Sequence, residues 1–318
     1  MSVYTPVTTA ELESWLARYA LGELDTLEPI RAGIENTNYF VITSKGRFVL
    51  TLYERLPAED LPFYLNFMAH LSREGVEVPA PQADRTGALF SMLNGKPAGL
   101  VTRVDGAPVE VPTVSQCGAI GAALGRLHVA SLGYRARHEN QRGPAWWRQA
   151  ARAVRPHLSP RQDELLQQEL AFQASFAMLK LPRAAIHADL FCDNALFVGD
   201  RVAGIIDFGF AATEYLAYDV AITINDWCDA GDGSLDYVRM DALLEHYDSV
   251  RPFSPDENEH LVMLLRAAAL RFWLSRLYDL HLPRAGELVH AHDPLRFERI
   301  LCHRVTMSNK SRQRARAK

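Results

Sequence analysis

Apolar positions along this chain keep a mixed period up to about residue 105 and a largely helical one after about residue 112. Near the start, Leu12, Trp15, Leu16 and Tyr19 recur at helical spacing behind Thr8, with Glu11 three residues on. That capping-box pattern predicts a first helix with one buried face. Short β-type runs follow at 39–43 and 47–53, separated by a Ser44-Lys45-Gly46 turn. Helical period returns over 60–73, with Leu61, Tyr64, Met68 and Leu71 on one side and Gly75 as the stop. Two further strands flank Asn94-Gly95, a pair suited to a two-residue hairpin turn. Residues 1–105 therefore predict a small antiparallel β lobe with one inserted helix.

A connector at 102–112 leads into the second part, 106–307. Thr113 with Gln116 opens a helix in which Ile120, Leu124, Leu127 and Ser131 share a face. Gly118, Gly121 and Gly125 along it leave room for a neighbouring element to pack closely. Ser159-Pro160 starts another long helix, with Leu165, Leu166, Leu170, Phe172 and Phe176 as its apolar stripe. Only 183–206 breaks the pattern, with short β runs around a polar loop. Helices resume from about Leu216, so the expected class is α+β, a small sheet lobe followed by a larger, mainly helical one.

Composition narrows the function. The chain has 318 residues, 34 Lys+Arg against 38 Asp+Glu, and 48% apolar residues. A chain of that size buries roughly 75% of its unfolded surface. The net charge of −4 argues against a partner held by phosphate neutralisation, so no nucleic acid is expected. No apolar run approaches the ~18 residues of a membrane span. The start, MSVYTPVTTAELESW, lacks the basic and apolar parts of a signal peptide. Cys117, Cys192, Cys228 and Cys302 form no C-x-x-C pair, which suggests neither zinc nor disulfides. The expectation is a cytoplasmic enzyme acting on a small molecule, with no membrane and no obligate protein partner. Charge is uneven along it. Five bases and no acid lie in 310–318, within a tail at 308–318 expected to be solvated and frayed. Twelve carboxylates in 213–260 face only Arg239 and Arg251, as solvated helix surface or as a pocket for a cationic substrate.

Chemistry concentrates in two segments. The polar loop reads Ile186-His187-Ala188-Asp189-Leu190-Phe191-Cys192-Asp193-Asn194, and Gly204-Ile205-Ile206-Asp207-Phe208-Gly209 follows. Between them, two β runs flank Gly199-Asp200, a hairpin that would return Asp207 beside Asn194. A divalent cation such as Mg²⁺ takes one or two hard protein oxygens and completes its shell from phosphates and water. Asn194 and Asp207 are candidates for those ligands, which leaves Asp189 to receive a proton from an attacking hydroxyl. Taken alone, H-x-D-x-x-x-x-N is also an ordinary Asp/Asn-rich turn.

Joined to Asp207-Phe208-Gly209 downstream of a β lobe with an inserted helix, this arrangement resembles the catalytic loop and D-F-G segment of protein-kinase-like phosphotransferases. With no Arg after His187, it looks more like the aminoglycoside-phosphotransferase and choline-kinase branch. The segments from Gly33 to Val41, Arg47 to Glu54, Tyr218 to Cys228 and Leu270 to Leu277 together resemble the homoserine kinases built on that fold. The resemblance runs from about Tyr4 to Met307. It implies a two-lobed protein-kinase-like fold, ATP and Mg²⁺ as cofactors, and transfer of a phosphoryl group to the side-chain hydroxyl of L-homoserine in threonine biosynthesis. It implies Asp189 as base, Asn194 and Asp207 on the metal, and a nucleotide-covering turn at Gly33, Asn36 and Asn38. His187 and Asp219 would brace the loop. One departure stands out. The wider superfamily commonly places a phosphate-binding Lys where this chain has Thr51. Lys45 and Arg47 are nearby bases, equally explained by a solvated turn.

Homoserine is an amino acid, so its pocket needs acceptors for –NH₃⁺ and a cationic fork for –COO⁻. Asp226 is the candidate for the ammonium, and Arg271 or Arg276 for the carboxylate. A surface Asp and internal ion pairs to Asp219, Asp226 or Asp279 are the alternatives. Phe208 is expected in the core, with Gly209 supplying positive φ. Rival readings are a phosphotransferase for choline, methylthioribose, a fructosamine or an aminoglycoside, or a binding module on the kinase fold.

Overall fold

The computed structural model describes residues 4–30, 36–176, 179–282 and 292–316, with side chains described up to 308. The chain forms two compact units. The first is Met1–Ala107 with Leu196–Gly209, and the second is Pro108–Ala195 with Phe210–Lys318.

Helix α1 (Thr9–Leu16) carries the capping box from Thr8 and Glu11 and buries Leu12, Trp15 and Leu16. Strands β1 (Leu24–Ile30), β2 (Thr37–Thr43) and β3 (Gly46–Leu52), helix α2 (Leu61–Arg73), and strands β4 (Ser91–Leu93) and β5 (Lys96–Thr102) complete this run. The sheet order is β1-β2-β3-β5-β4, and every pairing is antiparallel. Asn94 and Gly95 both have positive φ, as the tight β4–β5 hairpin requires. In β2, Thr37, Tyr39, Val41 and Thr43 are buried while Asn38, Phe40 and Ile42 are half-buried on the other face. The buried side packs on α1 through Tyr39, Val41, Phe48, Leu50 and Leu52.

The second unit begins with α3 (Val114–Ser131), α4 (Pro144–Val154), α5 (Pro160–Ala174) and β6 (Arg183–Ile186). Capping boxes open α3 at Thr113 and α5 at Ser159. The expected stripe of α5 is only partly realised. Leu166 and Glu169 are its buried residues, because Glu169 forms a buried ion pair with Arg266. Strands β7 (Ala195–Val198) and β8 (Arg201–Ile205) then form the expected hairpin, with Gly199 at φ +62°. Residues 196–209 group with the first unit, although the sequence placed them with the second. Ala107 and Phe197 exchange two backbone bonds, of 3.1 and 2.8 Å, and Ile205 N donates to Glu77 O at 2.7 Å. These are long-range bonds without a local sequence signal.

Strand β9 (Ala212–Tyr215) pairs with β6 and leads into α6 (Leu216–Trp227), followed by α7 (Tyr237–Val250), α8 (Pro255–His281) and α9 (Pro294–Arg316). All twelve residues of α6 are buried, so Asp219 and Asp226 are interior, whereas Asp232, Asp241, Glu245, Asp248, Asp256 and Glu259 are exposed, as expected of solvated helix surface. The tail expected to fray remains helical to Arg316. Among the described residues, no helix is long and apolar enough to cross a membrane.

Candidate active site

The loop after β6 is held from below by α6. Ala188 has φ +62°, a conformation L residues avoid, and its N–H donates to Asp219 Oδ1 at 2.8 Å. His187 N donates to Asp219 Oδ2 at 2.8 Å. Seven residues on, two turns along the same helix face, Asp226 Oδ2 accepts from Cys192 N at 2.8 Å. Trp227 Nε1 donates to Leu190 O at 3.1 Å. The helix thus grips the loop backbone at both ends and at its middle.

These bonds present Asp189. Its Oδ1 accepts from Arg271 Nη1 at 3.2 Å, and Asn194 Nδ2 donates to its Oδ2 at 3.3 Å and its carbonyl at 2.9 Å. His187 Nδ1 accepts from Asp189 N at 3.2 Å, so this fully buried ring shapes the loop. With the NH₂ of Asn194 assigned to Asp189, its amide oxygen is the atom left for a cation. The internal ion pair foreseen for Arg271 goes to Asp189 rather than to Asp219, Asp226 or Asp279. Its guanidinium lies 3.8 Å from the Phe272 ring centroid and 5.1 Å from that of Phe210.

A second cluster lies at the far end of the loop. Asp226 is buried, which overturns the surface alternative, and its Oδ1 accepts from Arg296 Nη1 at 2.8 Å. Arg296 Nε also donates to Asp229 Oδ2 at 3.0 Å. Arg276 Nη1 donates to Asp293 O at 3.2 Å, and its guanidinium sits 4.4 Å from the Phe297 ring centroid. Burial, and then the charge of Arg296, lower the Arg276 pKa to about 10, with Asp226, Asp293 and Asp189 pulling the other way. Burial, and then Asp226, push the Cys192 thiol far up, which removes it as a nucleophile.

Asp207 belongs to the first unit. It has φ +61° and is exposed, and its Oδ1 accepts from Gly209 N at 3.3 Å. Positive φ therefore falls on Asp207 and not on Gly209, a correction to the sequence expectation. Aspartate tolerates this region better than most L residues. Phe208 is buried as expected and meets Phe67 edge-on at 5.8 Å. On the half-buried sheet face, Thr51 Oγ1 donates to Asn38 Oδ1 at 2.8 Å, which directs the Asn38 NH₂ elsewhere. Asn36 Oδ1 accepts from Glu54 N at 3.3 Å. Gly33 lies outside the described residues. Lys45 and Arg47 are engaged locally, Lys45 with Ala20 O and Arg47 with Asp105.

Sequence reasoning missed Arg296, His128 and Tyr247. His128 Nε2 meets Asp219 Oδ2 at 3.1 Å, and its Nδ1 meets Tyr247 Oη at 2.7 Å. A His on the buried face of α3 was the available signal. Arg296 had none, because its partner lies seventy residues away.

Residues 26–253 match the model of the phosphotransferase enzyme family. An amicoumacin kinase in complex with AMP-PNP, Ca²⁺ and Ami superposes with TM-score 0.71 at 14% identity, covering 96% of this chain and 94% of that one. A spectinomycin phosphotransferase in complex with ADP and spectinomycin gives TM-score 0.67 at 13% identity, covering 93% and 94%. Fold and family match make the chain a kinase-like phosphotransferase. It is 46% identical to the homoserine kinases of Paraburkholderia xenovorans and Methylobacillus flagellatus, over 96% of this chain and of each relative. Within the phosphotransferases, it belongs to the homoserine kinase family.

Proposed function

We propose that this chain transfers the γ-phosphoryl group of ATP to the side-chain hydroxyl of L-homoserine, giving O-phospho-L-homoserine for threonine biosynthesis. The observation that carries the reading is the fixed Asp189 carboxylate, held by Asn194 and Arg271 on a loop clamped by α6. The family membership supplies the substrate.

Asp189 orients the acceptor hydroxyl and receives its proton as the oxygen attacks phosphorus. Asn194 and Asp207 fit Mg²⁺, since the amide oxygen and the exposed carboxylate are hard donors. The bound ion would neutralise phosphate charge. That matters more here because Thr51 replaces a lysine and Lys45 and Arg47 are occupied. Asn38, oriented by Thr51, donates to phosphate oxygens, and Asn36, two residues before it, contacts the same nucleotide. Arg276 takes the carboxylate of the acceptor. Its recorded bond is to a backbone carbonyl, so among the described residues no carboxylate is bonded to it. Arg271 instead anchors Asp189.

The test is a coupled ADP assay with Mg²⁺-ATP and L-homoserine, serine, threonine, choline and an aminoglycoside. Turnover is expected with homoserine, and Asp189→Asn should lower kcat on the order of 10²–10⁴ while the KM for ATP holds. ADP formed with choline or the aminoglycoside, and none with homoserine, would remove the assignment.

A further inference from the structure

We infer that Arg296 is a positioning residue for the catalytic loop. Acting through Asp226, it makes the C-terminal helix α9, together with α6, responsible for where Asp189 and Asn194 sit. The connection is short. Arg296 Nη1 donates to Asp226 Oδ1 at 2.8 Å, and Asp226 Oδ2 accepts from Cys192 N at 2.8 Å. Cys192 stands three residues after Asp189 and two before Asn194. A carboxylate held by a guanidinium on one oxygen has its other oxygen fixed in direction, and the loop amide is aligned with it.

The rest of α9 is built to hold Arg296 in place. Phe297 is fully buried and packs on Phe191 of the loop, at 5.8 Å, and on Phe272, at 5.1 Å. Two turns on, the fully buried Arg304 donates to Asn225 Oδ1 at 2.9 Å and to Gly233 O at 3.1 Å. Arg296 Nε reaches Asp229 at 3.0 Å, and its Nη2 donates to Asp226 O at 3.3 Å, at the carbonyl end of α6 where cations are favoured. Both arginines therefore bracket the end of α6 that carries Asp226. Both oxygens of that carboxylate have protein donors, which argues for a bracing role in place of ammonium binding.

The inference rests on the phosphoryl-transfer reading, and the test separates the two. In wild type, Arg296→Ala, Arg296→Lys, Asp226→Asn and the Arg296→Ala/Asp226→Asn double variant, kcat and both KM values are measured. Amide exchange of a peptide spanning 190–194 is measured in parallel, and it needs no turnover. Arg296→Ala should lower kcat about tenfold, with the KM for homoserine and for ATP within about threefold, and should speed exchange at the loop. Arg296→Lys should recover most of both, and the double variant should be no worse than the more damaging single one. A rise in homoserine KM with unchanged kcat would overturn the inference and make Arg296 and Asp226 part of the acceptor pocket. Unchanged loop exchange, or additive losses, would overturn it too. A wild type inactive on homoserine but with exchange altered as expected would remove the proposed substrate alone.

Discussion

Asp219 receives His187 N, Ala188 N and a ring nitrogen of His128, all with side chains shut off from water. Burial raises its pKa, but the hydrogen bond from His128 and the backbone donor of His187 outweigh this, and the group lies below the ordinary carboxylate range. His128 is shifted down as well, by burial first, against the opposing pull of Asp219. Geometry gives a consistent assignment. A neutral His128 donates from Nε2 to Asp219, Tyr247 donates its O–H to Nδ1, and Arg251 Nη1 donates to Tyr247 Oη at 3.0 Å. Arg251 is itself paired with Glu257 at 2.9 Å. The folded pKa of His128 lies below its unfolded value of about 6.5, so its contribution to stability is complete above that pH. As pH falls below it, the unfolded chain takes up the proton first and stability is lost. Urea midpoints at pH 7.5 and 5.5 should therefore fall further in wild type than in His128→Gln. An equal fall in both would rule out the buried neutral imidazole.

At the scale of elements, α3 and α7 pack with their backbones close. A Cβ on Gly121 would run into the backbone carbonyl of Leu243, whereas one on Gly118 would meet the His246 ring at 2.9 Å. A backbone carbonyl in a helix cannot step aside, but a half-exposed ring can. Gly121→Ala should cost about 1–3 kcal/mol, more than Gly118→Ala, read from their denaturation midpoints. The reverse order would mean that side chains set the separation of the helices. These glycines were legible in the sequence, as were the caps at Thr8, Thr113 and Ser159 and the Asn94-Gly95 turn. Each is a local pattern with one backbone solution. Strands β1 and β9 and helix α4 were not foreseen. β1 is amphipathic only in part, and β9 exists because β6 offers it an edge. In the candidate loop, the spacing of Asp189 and Asn194 was legible in the sequence, and their side chains meet at 3.3 Å. The positive φ of Ala188 and Asp207 was hidden, because neither is glycine and the bonds that impose it come from distant residues or from local closure.

At the scale of the whole molecule, the chain crosses between its two units three times, after Ala107, Ala195 and Gly209. The first unit is therefore discontinuous, and its β sheet alone does not complete it. Gly106, at φ +118°, runs so close to the β7 backbone that a Cβ there would lie 2.7 Å from Phe197 O, and Gly204 is similarly close to Val104. Phe208 adds its ring to the α2 face at Phe67. A fragment of residues 1–107 loses these partners and exposes Phe67 together with the open backbone bonds of Ala107 and Glu77. Each of these hydrogen bonds is worth about 0.5–1.5 kcal/mol net and an aromatic pair about 0.5–1.5 kcal/mol, together comparable with the margin of a small domain. The fragment is expected to unfold without a sharp urea transition, and joining residues 196–209 to it by a short flexible linker should restore one. Cooperative unfolding of 1–107 alone, followed by circular dichroism, would show instead that the hairpin is an appendage.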